Sequence, residues 1–294
     1  MNVSVICPEY CFDLTGVSYI GDPKSNTVLY VSKKLEHLLM NLYDVNNCLV
    51  FIEENCIVPE RLRKTNCIIL TDRPGEKYAE FVKRLDNERF ENDMRRSYTL
   101  CQGGYYIGDH VSIGENAYIE PGCLIGHDVI IGKNAKIMTG TKVKHAVIGD
   151  NFVANENAVI GSDSFTMAED SHGIKVRIPS MGKVIIGDNV EIGACDNIVR
   201  GCNSDTVIGD HVKVDALVHI GHDAHIDSNT EITAGAVVGG FVRIDKNVFI
   251  GLNSELKNRV VLKENSYIGM GSNVIRNVES GKTVVGNPAR VLRG

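Results

Sequence analysis

From Ile208 an aliphatic side chain returns at every sixth position: Val214, Ile220, Ile226, Ile232, Val238, Ile244, Ile250, Leu256, Leu262, Ile268 and Val274. Four residues after these aliphatics, from Val212, Val218 and Ala224 through to Ser272, stands something small or β-branched. The same register opens earlier, at Ile107, Ile113, Ile119, Ile125, Ile131, Ile137 and Val143. It slips by one at Ile148 and resumes at Ala154 and Ile160. A period of six fits neither a 3.6-residue helix nor an alternating strand. It predicts a coil of three short flat faces in which each sixth aliphatic points inward, so that three repeats complete one coil. A single coil cannot bury that stripe. Stacked coils bury it as a continuous column, each inward side chain contributing about 1.5–3 kcal/mol. The spacing alone does not set the hand of the winding, since parallel crossovers are normally right-handed.

Two stretches lie outside the repeat. Ser162 to Lys183 breaks the register and contains Phe165, His172, Gly173 and Pro179. A loop ejected from a regular prism is a natural place for substrate contacts. Residues 1–98 lack the repeat and predict a small α/β domain. Lys33–Tyr43 reads as a helix, Cys48–Ile52 and Cys67–Leu70 as buried strands, and Pro74 opens a longer helix reaching Arg96. This domain has no Gly-x-Gly-x-x-Gly and no phosphate loop, so the residues themselves assign it binding or spacing and no chemistry. The expected division is therefore 1–98, a β-helix over 99–280 with the ejected loop 162–183, and a tail over 281–294.

Composition narrows the function. The chain has 294 residues, a net charge of -6, 29 glycines, 7 prolines and no tryptophan. The acidic balance argues against nucleic acid and anionic membrane surfaces. No run approaches the roughly 20 apolar residues of a membrane helix, and no secretory leader opens the sequence. Nine cysteines, none spaced as Cys-x-x-Cys, read as buried free thiols in a reducing cytoplasm.

Longer motifs carry a resemblance. They begin with Ile160-Gly161-Ser162-Asp163-Ser164-Phe165 and the run Ile178-Pro179-Ser180-Met181-Gly182-Lys183-Val184-Ile185-Ile186-Gly187. Arg200-Gly201, Asp205-Thr206, Val214-Asp215 and Ile220-Gly221-His222 continue them, and in the N-terminal domain Thr15-Gly16-Val17 and Arg73-Pro74 with Tyr78 fit as well. Together these resemble the UDP-3-O-acylglucosamine N-acyltransferase family of the lipid A (lipopolysaccharide) pathway. The resemblance implies a left-handed parallel β-helix, a homotrimer with ligands in clefts between neighbouring prisms, a nucleotide-sugar acceptor and acyl carrier protein as donor. The chain departs from that family at Leu29, Ser32 and Leu35, where the family holds uracil with an aromatic, an asparagine and a second aromatic. Tyr30, one position off, and Ser32 remain as candidates for the nucleotide. Arg259 stands where the family has a second histidine, and the family's helical C-terminal extension is missing. Gly286-Asn287-Pro288-Ala289-Arg290-Val291 is instead similar to the end of sugar acetyltransferases that use acetyl-CoA.

Amine acylation from a thioester needs a base, a donor for the oxyanion and a groove for the pantetheine arm. His222 is the candidate base, two residues past an inward Ile220 at a corner of the coil. One coil on, Gly239 and Gly240 stack against Gly221 and His222, which would leave room for a ligand. By resemblance the Gly240 N–H meets the oxyanion. Lys257, Asn258 and Arg259 lie further along the same column, where Lys257 or Arg259 could engage phosphates of CoA or a carrier. Asn287 and Arg290 join this donor-binding set. Asp215 could hold the substrate amine or fix a loop, Phe165 could contact the acceptor, and Asp223 could orient His222 or simply make a turn. His127 in the similar Ile125-Gly126-His127-Asp128 reads as a solvated corner, and His110 and His211 as structural turns. Direct transfer needs no covalent intermediate, so Cys195 and Cys202 are read as buried thiols without a role.

Three other readings stand beside this one: an acetyl-CoA-dependent sugar N- or O-acetyltransferase of surface-glycan synthesis, a zinc carbonic anhydrase of the same fold, and a β-helix scaffold without activity. The zinc reading requires two histidines five positions apart beside a third, a spacing that none of the nine histidines has. No metal and no permanently bound cofactor is expected.

Overall fold

The computed structural model describes residues 1–292 and divides into two compact units. One comprises Asn92–Ser164, Lys183–Gly201 and Asp205–Gly294, of which residues 293 and 294, the end of the expected tail, lie outside the described residues. The other comprises Met1–Glu91, Phe165–Gly182 and Cys202–Ser204, so the ejected loop packs with the N-terminal segment rather than with the prism from which it springs.

The larger unit is a left-handed parallel β-helix. Among the described residues its three faces are one eight-stranded and two ten-stranded sheets, built almost wholly of two- and three-residue strands. Successive coils pair in parallel and in register: Ile198 meets Ile220, Ile220 meets Val238, and Val238 meets Leu256. Each sixth aliphatic therefore stacks on its equivalent above and below. Ile220, Ile232, Val238, Ile250 and Ile268 are fully buried in one continuous column. The outward residue of each strand faces solvent or a neighbour, so every two-residue strand is half core and half surface.

Corners explain the composition. Many corner residues take positive φ, and most of these that are not glycine are Asn, Asp or His, such as Asn229, Asn247 and Asn265 at φ 56, 59 and 59°. These side chains tolerate the left-handed region because they bond locally. The slip before Ile148 is absorbed at one such corner. Lys144-His145 turns one residue early, with His145 at φ 48°, and Ala146–Ile148 still pairs Val147 with Ile130 and Ile148 with Ile131. After the loop is ejected, Val184–Ile186 stacks directly on Ala146–Ile148. Arg200, 2% exposed, closes the base of that loop with Nε and Nη2 each 2.7 Å from Asp163 Oδ1.

The smaller unit has a four-stranded parallel sheet, Gly16–Val17, Thr27–Val31, Leu49–Glu53 and Cys67–Thr71, in sequence order. The Lys33–Asp44 helix is of the 3-10 type, and the helix opened by Pro74 ends at Met94 rather than Arg96. The ejected segment forms an antiparallel hairpin, Met167–Glu169 with Lys175–Arg177. Its flank contributes Ile178 to a core shared with Val28, Phe51, Tyr78 and Phe81. All nine cysteines are free; Cys11 and Cys195 are exposed, which corrects the expectation that every thiol is buried. Cys195 sits at a left-handed corner, φ 60°, with its side chain outside the prism.

Candidate active site

Three consecutive coils build the site. The strand His219–Ile220 ends at the corner Gly221-His222-Asp223. One coil on, Val237–Val238 ends at Gly239-Gly240-Phe241, and the next, Glu255–Leu256, ends at Lys257-Asn258-Arg259. The strand register puts like positions over like, and the corners are tied by Phe241 N–H to the His222 carbonyl at 2.9 Å and Arg259 N–H to the Gly240 carbonyl at 3.0 Å.

His222 is half-buried, and its Nδ1 lies 2.7 Å from Asp223 Oδ2, a carboxylate wholly removed from solvent. Asp223 is itself fixed, because its backbone N–H donates to the Thr206 hydroxyl at 2.9 Å. An ionised Asp223 on Nδ1 holds the proton there and leaves Nε2 as the basic nitrogen. That nitrogen lies over Gly240: a Cβ placed on Gly240 would be 2.7 Å from Nε2 and 2.8 Å from Cε1. The expectation that Gly239 and Gly240 leave room for a ligand is therefore corrected. The space over Gly240 holds the imidazole, and a Cβ on Gly239 would strike Asn258 Oδ1 and the Leu256 carbonyl. Bare glycine is needed so that the base can approach the backbone.

The Gly240 N–H has no acceptor among the described residues. Some corner amides are capped from the next coil, Asp109 by His127 Nδ1 at 2.8 Å, and Lys133 by Asp150 and Asp188 by Asp210 at 2.7 and 2.8 Å, while others, such as those of Glu115 and Leu252, are open like Gly240 among the described residues. Gly221 helps to keep this amide uncovered, since a Cβ there would come within 2.7 Å of the Gly240 nitrogen. A basic ring nitrogen beside an open backbone donor is what acyl transfer requires.

Two side chains that the sequence reading passed over or assigned elsewhere complete the surround. The Phe241 ring stands 5.3 Å from the His222 ring at 87°, and the Arg259 guanidinium lies 4.2 Å over the Phe241 ring. Both residues occupy left-handed corners, at φ 59 and 68°, where a bulky side chain costs about 1–2 kcal/mol relative to ordinary backbone. Writing the sequence in rows of one coil would have revealed them, as an aromatic and an arginine in a column whose other left-handed corners are His110, Asp128, His145 and Asp223. His219, beside the base on the same strand, has its pKa lowered by burial and then by the proximity of His222, and its Nδ1 is 3.4 Å from Asn197 Nδ2.

The other expected residues scatter. Lys257, Asn258 and Arg259 are exposed along the His222 column, and neither Lys257 nor Arg259 forms an ion pair among the described residues. Asp215 is exposed at a different corner of the same coil, in a hollow with Glu156, Glu191, Lys213 and Thr233, so one chain does not bring it to His222. Asn287 and Arg290 are exposed in the closing hairpin of Thr283–Val285 with Arg290–Val291, three coils beyond the base. Phe165, Tyr30 and Ser32 belong to the smaller unit. Phe165 is 81% exposed, with the Arg177 guanidinium 5.7 Å from its ring. Leu29 is buried in one apolar cluster, while Tyr30, on the opposite face of its strand, packs 5.0 Å from the Tyr78 ring. Ser32 precedes the Lys33–Asp44 helix without a side-chain cap, and Leu35 is 36% exposed. His127 is not a solvated corner: its side chain is 8% exposed and its ring packs 4.6 Å from that of Tyr98. With its Nδ1 accepting the Asp109 amide, His127 differs from His222, whose Nδ1 meets a carboxylate. Among the described residues no cluster of three His, Cys, Asp or Glu side chains is arranged to hold a metal ion.

The coils carry the repeats of a known class of enzymes. Residues 110–145 and 205–240 match the bacterial transferase hexapeptide family (six repeats), and residues 241–275 match the hexapeptide repeat of succinyl-transferase. More particularly, the chain is 49% identical over 89 residues to UDP-3-O-acylglucosamine N-acyltransferase of Coxiella burnetii (strain Dugway 5J108-111), covering 30% of this chain and 26% of that one. It is 47% identical over 90 residues to the enzyme of the same name from Herminiimonas arsenicoxydans, covering 31 and 25%. The matched stretch thus spans about a quarter of these curated relatives. Among solved structures, UDP-N-acetylglucosamine acyltransferase of Francisella novicida superposes with a TM-score of 0.59 at 26% identity, over 65% of this chain and 68% of that one. No helix among the described residues is long and apolar enough to cross a membrane.

Proposed function

We propose that the chain is an N-acyltransferase that moves an acyl group from a pantetheine thioester to the amine of a nucleotide-linked amino sugar. The observation that carries this reading is His222, backed by buried Asp223, with Nε2 over bare Gly240 beside an open backbone N–H. The likeness to enzymes named UDP-3-O-acylglucosamine N-acyltransferase supplies the substrate class. In the reaction the substrate amine attacks the thioester carbonyl carbon while Nε2 of His222 takes an amine proton. The carbonyl oxygen, now an oxyanion, receives the Gly240 N–H. Collapse of the tetrahedral species breaks the C–S bond, and His222 returns the proton to the departing sulfur. An amide and a free thiol result, with no covalent enzyme intermediate. Asp223 stabilises the imidazolium in between.

Lys257 and Arg259, exposed and without ionic partners among the described residues, are assigned to phosphate groups of the donor, with Asn258 beside them. Asp215 lies at the level of His222 on another edge of the prism. In a homotrimer whose axis runs parallel to the prism, residues of one level face each other across the cleft, and Asp215 is assigned to the acceptor amine there. Tyr30, Ser32 and Phe165 are assigned to the acceptor's nucleotide and sugar. The setting is cytoplasmic, where acyl carrier protein and CoA are both at hand. A second reading for the donor, acetyl-CoA in a surface-glycan N- or O-acetyltransferase, is favoured by Asn287-Pro288-Ala289-Arg290, which places an amide and a guanidinium on the exposed closing hairpin. The test is a free-thiol release assay over acyl-CoA and acyl-carrier donors of graded chain length, each against UDP- and dTDP-amino sugars. Amine-dependent thiol release with at least one pair is expected. Silence across the matrix, from protein whose β-helix is intact, refutes the assignment.

A further inference from the structure

We propose that Phe241, held by Arg259, is a positioning residue that fixes the attitude of the His222 ring over Gly240. The kinetic part of this proposal rests on the N-acyl-transfer reading, whereas the contact itself does not. His222 is restrained on one edge by the Asp223 carboxylate and beneath by the Gly240 backbone. The Phe241 ring packs against a further side, 5.3 Å away and perpendicular at 87°. Phe241 is in turn covered by the Arg259 guanidinium at 4.2 Å.

The backbone shows that this arrangement is retained against preference. Phe241 and Arg259 stand one coil apart at φ 59 and 68°, in the corner column that also holds Asp223 at φ 57°. At other corners the left-handed position, where it is not glycine, goes mostly to asparagine, aspartate or histidine, as at Asn229, Asn247 and Asn265, with Leu217 and Cys195 the exceptions at φ 63 and 60°. Strained backbone is often retained where a function holds it, and here the Phe241 ring packs on the His222 imidazole while Arg259 packs on Phe241. Asn at 241 would suit the corner better, so stability and positioning make opposite demands at this residue.

That opposition provides the test. In Phe241→Asn the melting temperature should hold or rise, because the corner is relieved. With donor and acceptor saturating, kcat should fall by about 10- to 100-fold while both KM values stay within about twofold, the pattern of a displaced base rather than lost binding. Phe241→Tyr, which keeps the ring, should restore most of kcat. The imidazole resonances of His222, assigned by their loss in His222→Ala, should shift in Phe241→Asn and return in Phe241→Tyr. Full kcat in Phe241→Asn, or His222 resonances that do not move, overturns the proposal. The spectroscopic arm reads the contact whether or not acyl transfer occurs. If the wild-type protein turns over no donor, the function reading fails while the spectra still decide the positioning.

Discussion

Replacing Gly240 with alanine places one methyl group directly against the proposed base. Gly240 lies outside the left-handed region, so alanine is free to adopt its backbone conformation. The added Cβ would sit 2.7 Å from His222 Nε2, 2.8 Å from Cε1 and 3.2 Å from Cδ2, where ordinary contact begins at 3.4 Å. The ring must therefore retreat by about 0.7 Å, the difference between 3.4 and 2.7, and more if it tilts. Its link to Asp223 is already only 2.7 Å and cannot follow that movement without lengthening or bending. A displacement approaching 1 Å at a reacting group costs on the order of 10²-fold in rate. The backbone amide of residue 240 remains in place, so the effect isolates the base from the oxyanion donor. Steady-state turnover with saturating donor and acceptor should fall by about two orders of magnitude, with the folded far-ultraviolet spectrum retained and both KM values nearly constant. Turnover within about twofold of wild type would show that Nε2 over Gly240 is not where the proton is taken. Gly239→Ala is the contrasting change, since its Cβ would press on the Leu256 carbonyl at 2.7 Å and the Asn258 nitrogen at 2.8 Å. It should lower stability through the backbone rather than through the base.

Other consequences concern the dyad, the core and pH. Asp223→Asn offers an amide that can donate to Nδ1 and so favours the tautomer with Nε2 protonated; kcat should drop by about 10²–10⁴-fold, and an unchanged kcat would remove Asp223 from the mechanism. Ile250 is fully buried between Ile232 and Ile268. Ile250→Ala should therefore cost about 2–5 kcal/mol in chemical denaturation, and a loss well below that range would contradict a tightly filled column. The Asp196 carboxyl is raised to about 6, chiefly by burial and also by Asp215, against the pull of N–H groups from Val218 and Gly193. The native state thus binds this proton more tightly than the unfolded chain, whose carboxyl titrates near 3.8. Stability from this group falls as pH rises between about 4 and 6 and stays lower above that window. Asp196→Asn should flatten that segment of the stability profile; the same slope in the variant would assign it to other groups.

The prism was legible in the sequence because its physics is local and repeated. A side chain that must point inward at every sixth residue leaves the same trace in coil after coil, and Ile220, Val238 and Leu256 pair as that trace demands. The candidate base could be found because its corner lies at a fixed offset from an inward aliphatic. The N-terminal unit carries no such repetition. Thr27–Val31 is not marked as a strand by its sequence because a single five-residue run has no periodic partner, and the 3-10 form of Lys33–Asp44 leaves no separate trace from that of an ordinary helix. His127 and His222 have nearly the same sequence surroundings and quite different fates. The contrast comes from what lies against each ring: Tyr98 and the Asp109 amide in one case, Asp223, Gly240 and Phe241 in the other. Apart from Asp223, which is next in the chain, these contacts join residues a coil or more apart, so motifs read along the chain do not display them.

The most direct trial of the account is amine-dependent thiol release by His222→Ala, with the productive donor and acceptor, beside wild type at equal concentration. His222 is an outward corner residue whose removal leaves the inward column of Ile220 and Val238 untouched. The variant should melt with wild type and turn over about 10²–10⁴-fold more slowly. Undiminished release by the folded variant would contradict the central claim that this imidazole moves the proton.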